Sequence, residues 1–489
     1  MSPYIAYYAN QAGGGTVDRY TNFGRVFVGS PYHRGHGIGA FLGGVFRRIL
    51  PYLGSGARAV GKEALNAGIN VVGYVVTNGK PLKLTGRGSA KTSKTRKNKK
   101  KRPAAYKKSK KSELDLFTIS PTQTSIENSQ FVYYNPVSTL SDDAPIEFIV
   151  PGHGEEYIDL AHTMIKVRAR ILKPEGTAAL DDSVGPVNNF LHSMFNQVDV
   201  YFNQKVVTPP NNLYAYRAYI ETLLNYGTDA KSSHLGMSLW ATDSYGAMDS
   251  TAVAAGDART NNGLAARQAF TKGGKTFDLL GHLHCDVFNQ DKFLMNDVEL
   301  RVRLIRAKDA YCLIDDSALR YKVHIEEASL IVRRVKLSPG ILIAHAKMLA
   351  KTTAKYPLTR VEVKSFVLHR GIMGETIDNA ILGKVPKRII LGFVENASFN
   401  GSRKKNPFNF QNFGINFLCL NVDGRQVPTK PLQPSFISAV CLDVEAFNTL
   451  FSVRFHGATE KNINCVFYAE YDNLLEINST RQVIVDYSG

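Results

Sequence analysis

The sequence predicts an all-β body made of two sandwiches in tandem, preceded by an amphipathic helical segment and a disordered basic tract. Three observations carry this. From Leu114 onward, short β-branched and aromatic runs alternate with Pro, Gly and Asn punctuation. The pattern pauses at one short helical piece, Ile341–Ala350, and then restarts. Between Lys80 and Lys111 stand 15 Lys/Arg and not one Asp or Glu, a block that repels itself and cannot bury a core.

That block divides the charge of the chain. The whole protein is formally +18, residues 1–79 are net +5, and the tract adds +15. From Ser112 to the end, 38 basic residues face 40 acidic ones, net −2. The basicity therefore belongs to an arm and not to the body, and it draws polyanions through counterion release.

Taken in order, residues 1–37 are a Tyr-, Gly- and His-rich lead expected to be flexible. Residues 38–78 carry a helical pattern: Phe41, Leu42, Val45, Phe46, Ile49, Leu50 and Leu53 recur at three- and four-residue steps. After Pro51 a smaller-sided series follows, from Ala57 and Val60 to Val72 and Val75, with Arg47, Arg48, Arg58 and Lys62 on the flanks. Three readings stay open. The segment is a helix pair that docks on an apolar groove of a partner, a membrane-active interfacial helix with an apolar face and basic flanks, or a plain packed hairpin.

Residues 79–111 form the linker, with Pro81 and Pro103 also opposing helix. Lys97, Lys99, Lys100, Lys101, Arg102, Lys107, Lys108, Lys110 and Lys111 are the expected contacts to double-stranded DNA. Such contacts neutralise phosphates without reading sequence. The run Lys99–Pro103 equally fits a nuclear-import signal.

The first sandwich is expected over 112–337. Its strands are read at Phe131–Tyr134, Ile146–Val150, Thr163–Ile171, Gln197–Phe202, Val298–Leu304, Tyr321–Ile325 and Ala328–Val332. The second is expected over 338–489, with strands at Val361–Leu368, Arg388–Val394, Ile415–Val422 and Asn464–Tyr471. Asp423-Gly424 between two apolar runs reads as a hairpin turn. Many short strands without steady strand–helix alternation favour sandwiches over a parallel sheet.

Motifs that carry chemistry are few. Phe270-Thr-Lys-Gly-Gly-Lys-Thr276 approaches a phosphate-cradling loop, but Ala269 stands where the motif needs Gly, and no strand-then-helix context is read around Lys275. His282-Leu-His284-Cys285 offers possible metal ligands without a second pair at zinc spacing, and reads as a strand or surface histidine pair. No nucleophile with a positioned base is recognisable, so neither a catalytic residue, a metal nor a cofactor is expected. Five scattered cysteines without CxxC spacing suggest a reducing compartment. No secretory signal is read at the N-terminus, no run is long and apolar enough for a spanning helix, and three glycosylation sequons are taken as chance.

Five stretches carry a family resemblance: Leu114–Ser125, Pro186–Val200, Asn212–Tyr226, Lys404–Phe410 and Tyr468–Asn478. In them the body resembles the double jelly-roll major capsid protein of Polinton- and adintovirus-like double-stranded DNA elements. The resemblance covers most of 112–489. It implies homotrimers of two-sandwich subunits that tile an icosahedral shell with penton and minor capsid proteins, in the virion and, during assembly, the host nucleus. One departure stands out. After Asn448-Thr-Leu-Phe451 the chain moves directly to Ser452-Val-Arg-Phe455, where the family has a longer stretch, so the second sandwich is expected to be short of strands and its trimer competence is open. The N-terminal zone is similar to small internal proteins of adenovirus-type virions. Leu84-Thr-Gly-Arg-Gly88 also fits the maturation-protease pattern of that group, with cleavage between Arg87 and Gly88. A penton-type or minor capsid protein, and a DNA-binding protein domesticated from such an element, are the alternatives.

Overall fold

Alternating side chains build the first sandwich. In Leu300–Arg306 the apolar residues Leu300, Val302 and Leu304 are buried while the arginines between them face outward, the period-two signature of a strand with one wet face. The computed structural model describes residues 125–485 apart from 143, 153, 180–183, 210, 252–259, 317–318, 379, 382, 385, 423–424 and 435–449.

Up to Leu337 the strands are β1 (Ile126–Tyr134), β2 (Ile146–Val150), β3 (Glu156–Leu172), β4 (Val184–Pro186), β5 (Phe195–Phe202), β6 (Lys205–Val206), β7 (Phe277–His282), β8 (Leu300–Arg306), β9 (Leu313–Asp315) and β10 (Lys322–Leu337). One sheet runs β1-β10-β3-β7 and the facing sheet β2-β8-β5-β6, with β4 and β9 forming a separate two-stranded ribbon. All of these pairings are antiparallel. With the ribbon set aside, the order is first–eighth–third–sixth against second–seventh–fourth–fifth, which is a jelly roll. Two strands read at 321–325 and 328–332 are one strand, β10. The acidic pair Glu326-Glu327 breaks the alternation, and a bulge between Ile325 and Glu327 absorbs it.

A helix links the sandwiches. The second sandwich contains β11 (Ala354–Leu368), β12 (Gly374–Ile377), β13 (Arg388–Glu395), β14 (Ile415–Val422), β15 (Arg425–Leu432), β16 (Leu450–Phe455), β17 (Ile463–Ile477) and β18 (Val483–Val485). One sheet runs β11-β17-β13, with β18 on β17, and the other β12-β16-β14-β15. The first jelly-roll order repeats here with one place unfilled: among the described residues no strand lies outside β13, where β7 lies in the first sandwich. The join at Phe451-Ser452 does not interrupt its sheet. It falls inside β16, where Phe451 pairs with Ile377 on one side and Leu420 on the other. β14 and β15 pair across the expected hairpin, Val422 opposite Arg425. The body is thus two jelly-roll sandwiches in tandem, the second short of one strand among its described residues.

Three helices shape the region around the junction: α1 (Tyr214–Asn225), α2 (Asn262–Thr271) and α3 (Pro339–Leu349). The first two sit in the long excursion between β6 and β7. The third is the linker between the sandwiches. One apolar cluster fills the first sandwich and also takes in Tyr356, Leu358, Leu475, Ile477 and Val483 of the second, a second cluster lies within the second sandwich, and a third joins Tyr216 and Tyr219 of α1 to Val361, Phe408, Val466 and Tyr468 of the second sandwich.

Candidate functional site

The third cluster makes α1 a wedge between the sandwiches. Tyr214 through Thr222 are all buried, so all but the last turn of this helix is enclosed, and only Leu223, Leu224 and Asn225 are exposed. Aromatic rings do most of the contact. Tyr219 stacks on Phe408 with centroids 4.1 Å apart and planes 2° from parallel, and Tyr216 packs edge-on to Phe408 and stacks against Phe399. The Tyr216 hydroxyl donates to the Pro407 carbonyl at 3.0 Å. Asn406 completes this loop contact. Its side-chain amide donates to Asp243 Oδ2 at 2.9 Å, and its backbone N–H donates to Asp249 at 2.7 Å.

A buried charge network lies beside the rings. Arg217 donates from Nε to Glu221 Oε1 at 2.9 Å, one helical turn on, and from its terminal nitrogen to Asp286 Oδ1 at 2.6 Å. The same Asp286 oxygen accepts the backbone N–H of Val361 in β11 at 3.2 Å, so the network crosses into the second sandwich. Glu221 Oε2 lies 2.7 Å from His284 Nδ1, and His192 Nδ1 lies 3.0 Å from the Tyr214 hydroxyl. His192 and His284 meet edge-to-face at 4.7 Å. Gly281 of β7 leaves room for this arrangement: a Cβ there would stand 2.6 Å from the Leu191 side chain, 2.7 Å from the Ser238 hydroxyl and 3.3 Å from His192 Nε2, so these side chains would have to move.

The environment sets the charges. Burial alone would raise the Glu221 carboxyl, but Arg217 and the His284 hydrogen bond outweigh it and hold the group at about 2. Burial, with His284 and His282 nearby, pushes His192 well below the ordinary histidine value. Burial and the neighbouring His284 bring His282 down to about 4. Burial raises Asp286, against the pull of Arg217. Around Arg217 these groups form a structural lock: each charge is spent on a partner within the protein. A buried ion pair of this kind is costly to break because breaking it strands the opposite charge.

The histidine cluster differs from the sequence expectation. β7 ends at His282, whose Nε2 lies 3.2 Å from the Phe288 carbonyl, while His284 is buried in the following turn and faces Glu221. It is neither a strand pair nor a surface pair. Among the described residues no group of three or more His, Cys, Asp or Glu is arranged to hold a metal. Lys275 follows α2 and precedes β7, the reverse of the strand–loop–helix order a phosphate loop needs, and Thr276 donates to Glu326. Cys285, Cys312, Cys419 and Cys465 are buried thiols.

The other site residues read from the sequence lie outside the described residues. These are the DNA contacts Lys97, Lys99, Lys100, Lys101, Arg102, Lys107, Lys108, Lys110 and Lys111, the helical series Phe41, Leu42, Val45, Phe46, Ile49 and Leu50, and the Arg87–Gly88 cleavage site. What the structure does bring together are four of the five stretches that carry the resemblance. Pro186–Val200 supplies Val187 and His192, Asn212–Tyr226 contains α1, Lys404–Phe410 supplies Asn406, Phe408 and Phe410, and Tyr468 opens the last stretch. The lock residues Arg217, Glu221, His284 and Asp286 do not stand out as a group in the sequence. Only the four-residue spacing of Arg217 and Glu221 offers a signal.

No protein-family model matches the chain. A curated protein of Caenorhabditis elegans, described as "Uncharacterized protein F54H12.2", is 22% identical over 430 residues, spanning 75% of this chain and 99% of that protein. Among solved structures, a chain from the cryo-EM structure of the Sputnik virophage is similar at 14% identity, TM-score 0.48, over 77% of this chain and 92% of that one. The crystal structure of the mavirus major capsid protein is similar at 12% identity, TM-score 0.41, over 83% of this chain and 96% of that one. The jelly-roll strand order stands on the hydrogen-bonded registers of this chain itself.

Proposed function

We infer that the chain is a structural subunit of a virion shell, of the double jelly-roll major capsid type, rather than an enzyme. One observation carries the reading: residues from four separate stretches of family-like sequence converge on the junction that fixes one jelly roll against the next. A tile that must mate with neighbours on several sides needs its two sandwiches held in one orientation, and a buried aromatic wedge with a charge lock does that. Sheet edges and loops of 112–489 then build a homotrimer and the lattice with penton and minor capsid proteins. The basic tract 79–111 neutralises packaged DNA without sequence preference. Residues 38–78 act at membranes once freed by a maturation protease at Arg87–Gly88. The virion is the place of action, and the nucleus the place of assembly.

Electron microscopy of the purified full chain tests the shell reading. Tiles with threefold symmetry and a hexagonal outline are expected; a field of single bilobed particles would overturn it.

A second reading, a DNA-binding protein domesticated from such an element, is favoured by one finding. The curated relative matched over 99% of its length comes from a nematode. In that case the protein stays monomeric and co-purifies with nuclear DNA without forming shells.

A further inference from the structure

The helix that joins the sandwiches is mostly apolar and yet uncovered. None of the eleven residues of α3 is buried. Ile341, Leu342 and Leu349 rest half-buried against the first core, and the Tyr157 hydroxyl lies 2.9 Å from His345 Nδ1, so the inner side of the helix is anchored. The outer side carries Ile343 and Met348, 55% and 58% exposed, among the exposed Ala344, Ala346 and Ala350. Met348 also walls a groove of about 410 Å³, together with Phe293, Met295, Leu337 and Leu349. Apolar surface thus runs from the helix into a recess, and an exposed patch of this kind marks a contact site.

Charge identifies the partner. Between Glu327 and Glu362 stand seven Lys/Arg and no Asp or Glu. Three of them, Lys347, Lys351 and Lys355, are exposed on α3 or shortly after it. Lys355 pairs with Glu476 at 3.0 Å, but among the described residues no acid reaches Lys347 or Lys351. Ile343 and Lys347 are four residues apart on one helical stripe with Met348 beside them, and Lys351 stands in the turn that ends the helix. Exposed apolar side chains next to unpaired cations are the make-up of a helix that lies in the interface of an anionic bilayer. At about 16 Å, α3 is too short to cross one. A second copy of the chain would bring the same lysines and no acid to a two-fold contact on this face, which sets like charges together.

We propose that the outer face of α3 is a membrane-contact surface for an anionic phospholipid bilayer. Ile343 and Met348 enter the interfacial region of the leaflet, and Lys347 and Lys351 meet its anionic headgroups. The groove beside Met348 gives acyl chains an apolar recess. The contact rests on the linker helix and the first sandwich alone, and it is independent of the shell reading and of any activity of residues 38–78.

Hydrogen exchange of the full chain, followed by mass spectrometry at submicromolar concentration, tests this. With phosphatidylserine–phosphatidylcholine vesicles, peptides covering 341–350 are expected to exchange at least about tenfold more slowly than without them. Vesicles of phosphatidylcholine alone should slow them far less. The basic tract 79–111 also attracts anionic vesicles, so the readout is taken at α3 and each variant is compared with itself without vesicles. Lys347→Glu with Lys351→Glu, at exposed positions that leave the core intact, should abolish the slowing. Ile343→Ser with Met348→Ser should do the same without changing charge. Equal exchange with and without vesicles overturns the proposal, and so does slowing that survives both double variants. Protection that needs no vesicles and grows with protein concentration assigns the face to a second copy and likewise overturns it.

Discussion

Arg217 and Asp286 meet at 2.6 Å in the interior, and the Asp286 oxygen that receives the guanidinium also accepts the backbone N–H of Val361. One carboxylate thus joins the wedge helix of the first jelly roll to the first strand of the second. The two sandwiches are tied by a charge-assisted hydrogen bond in the buried interior.

Replacing Arg217 with Met strands Asp286 and Glu221 in the interior without their cation. The expected loss is about 3–5 kcal/mol of stability, read from chemical denaturation of the full chain. A loss below about 1 kcal/mol would mean that the lock is not what holds the junction.

Phe408→Ala removes the ring on which Tyr219 stacks and against which Tyr216 packs edge-on. A cost of about 3–5 kcal/mol is expected from lost burial and the cavity left behind. Calorimetry should show the parent melting in one transition and the variant in two, as the sandwiches uncouple. A single transition at an unchanged temperature would contradict this.

Acid should loosen the junction, and the sign follows from the shifted groups. His192 and His282 are held below their ordinary value, so between about 6.5 and about 4 the unfolded chain binds protons that the folded chain does not. Their stabilising contribution is complete above the ordinary histidine value and is lost as pH falls. Glu221, held at about 2, adds a second loss below the ordinary carboxylate value, while Asp286, raised by burial, works the other way. The urea midpoint should therefore decline from neutral pH toward pH 4, and His192→Gln should flatten the decline. A midpoint that rises on acidification would reverse the assignment.

For the arm, affinity for duplex DNA should fall by about 0.9 log units per log of salt for each phosphate neutralised. Changing Lys97, Lys99, Lys100, Lys101, Arg102, Lys107, Lys108, Lys110 and Lys111 to Gln in the full chain should reduce that slope and weaken binding to every sequence alike. Fluorescence anisotropy measures both. A slope that does not change would remove these residues from the DNA contact.

The strands were legible because alternation survives in a linear sequence. Leu300, Val302 and Leu304 announce β8 without any knowledge of partners. Bulges were not legible, since Glu326-Glu327 looks like a strand end until its partner strand is seen. α1 was hidden for a different reason: Tyr214 through Thr222 is buried throughout, so that stretch has no polar face to reveal its period. The junction was the least legible part. Arg217 and Asp286 are 69 residues apart, and nothing local marks either as the other's partner. Four of the five stretches singled out by resemblance meet at the junction, and only the fold shows that they do.

Whether this twin-jelly-roll chain is a building block that associates in threes, as proposed, decides the shell reading. Native mass spectrometry of the purified full chain measures that directly. A dominant species of three 54.0 kDa chains that persists on dilution is the predicted result. A chain that remains a folded monomer at micromolar concentration would contradict it.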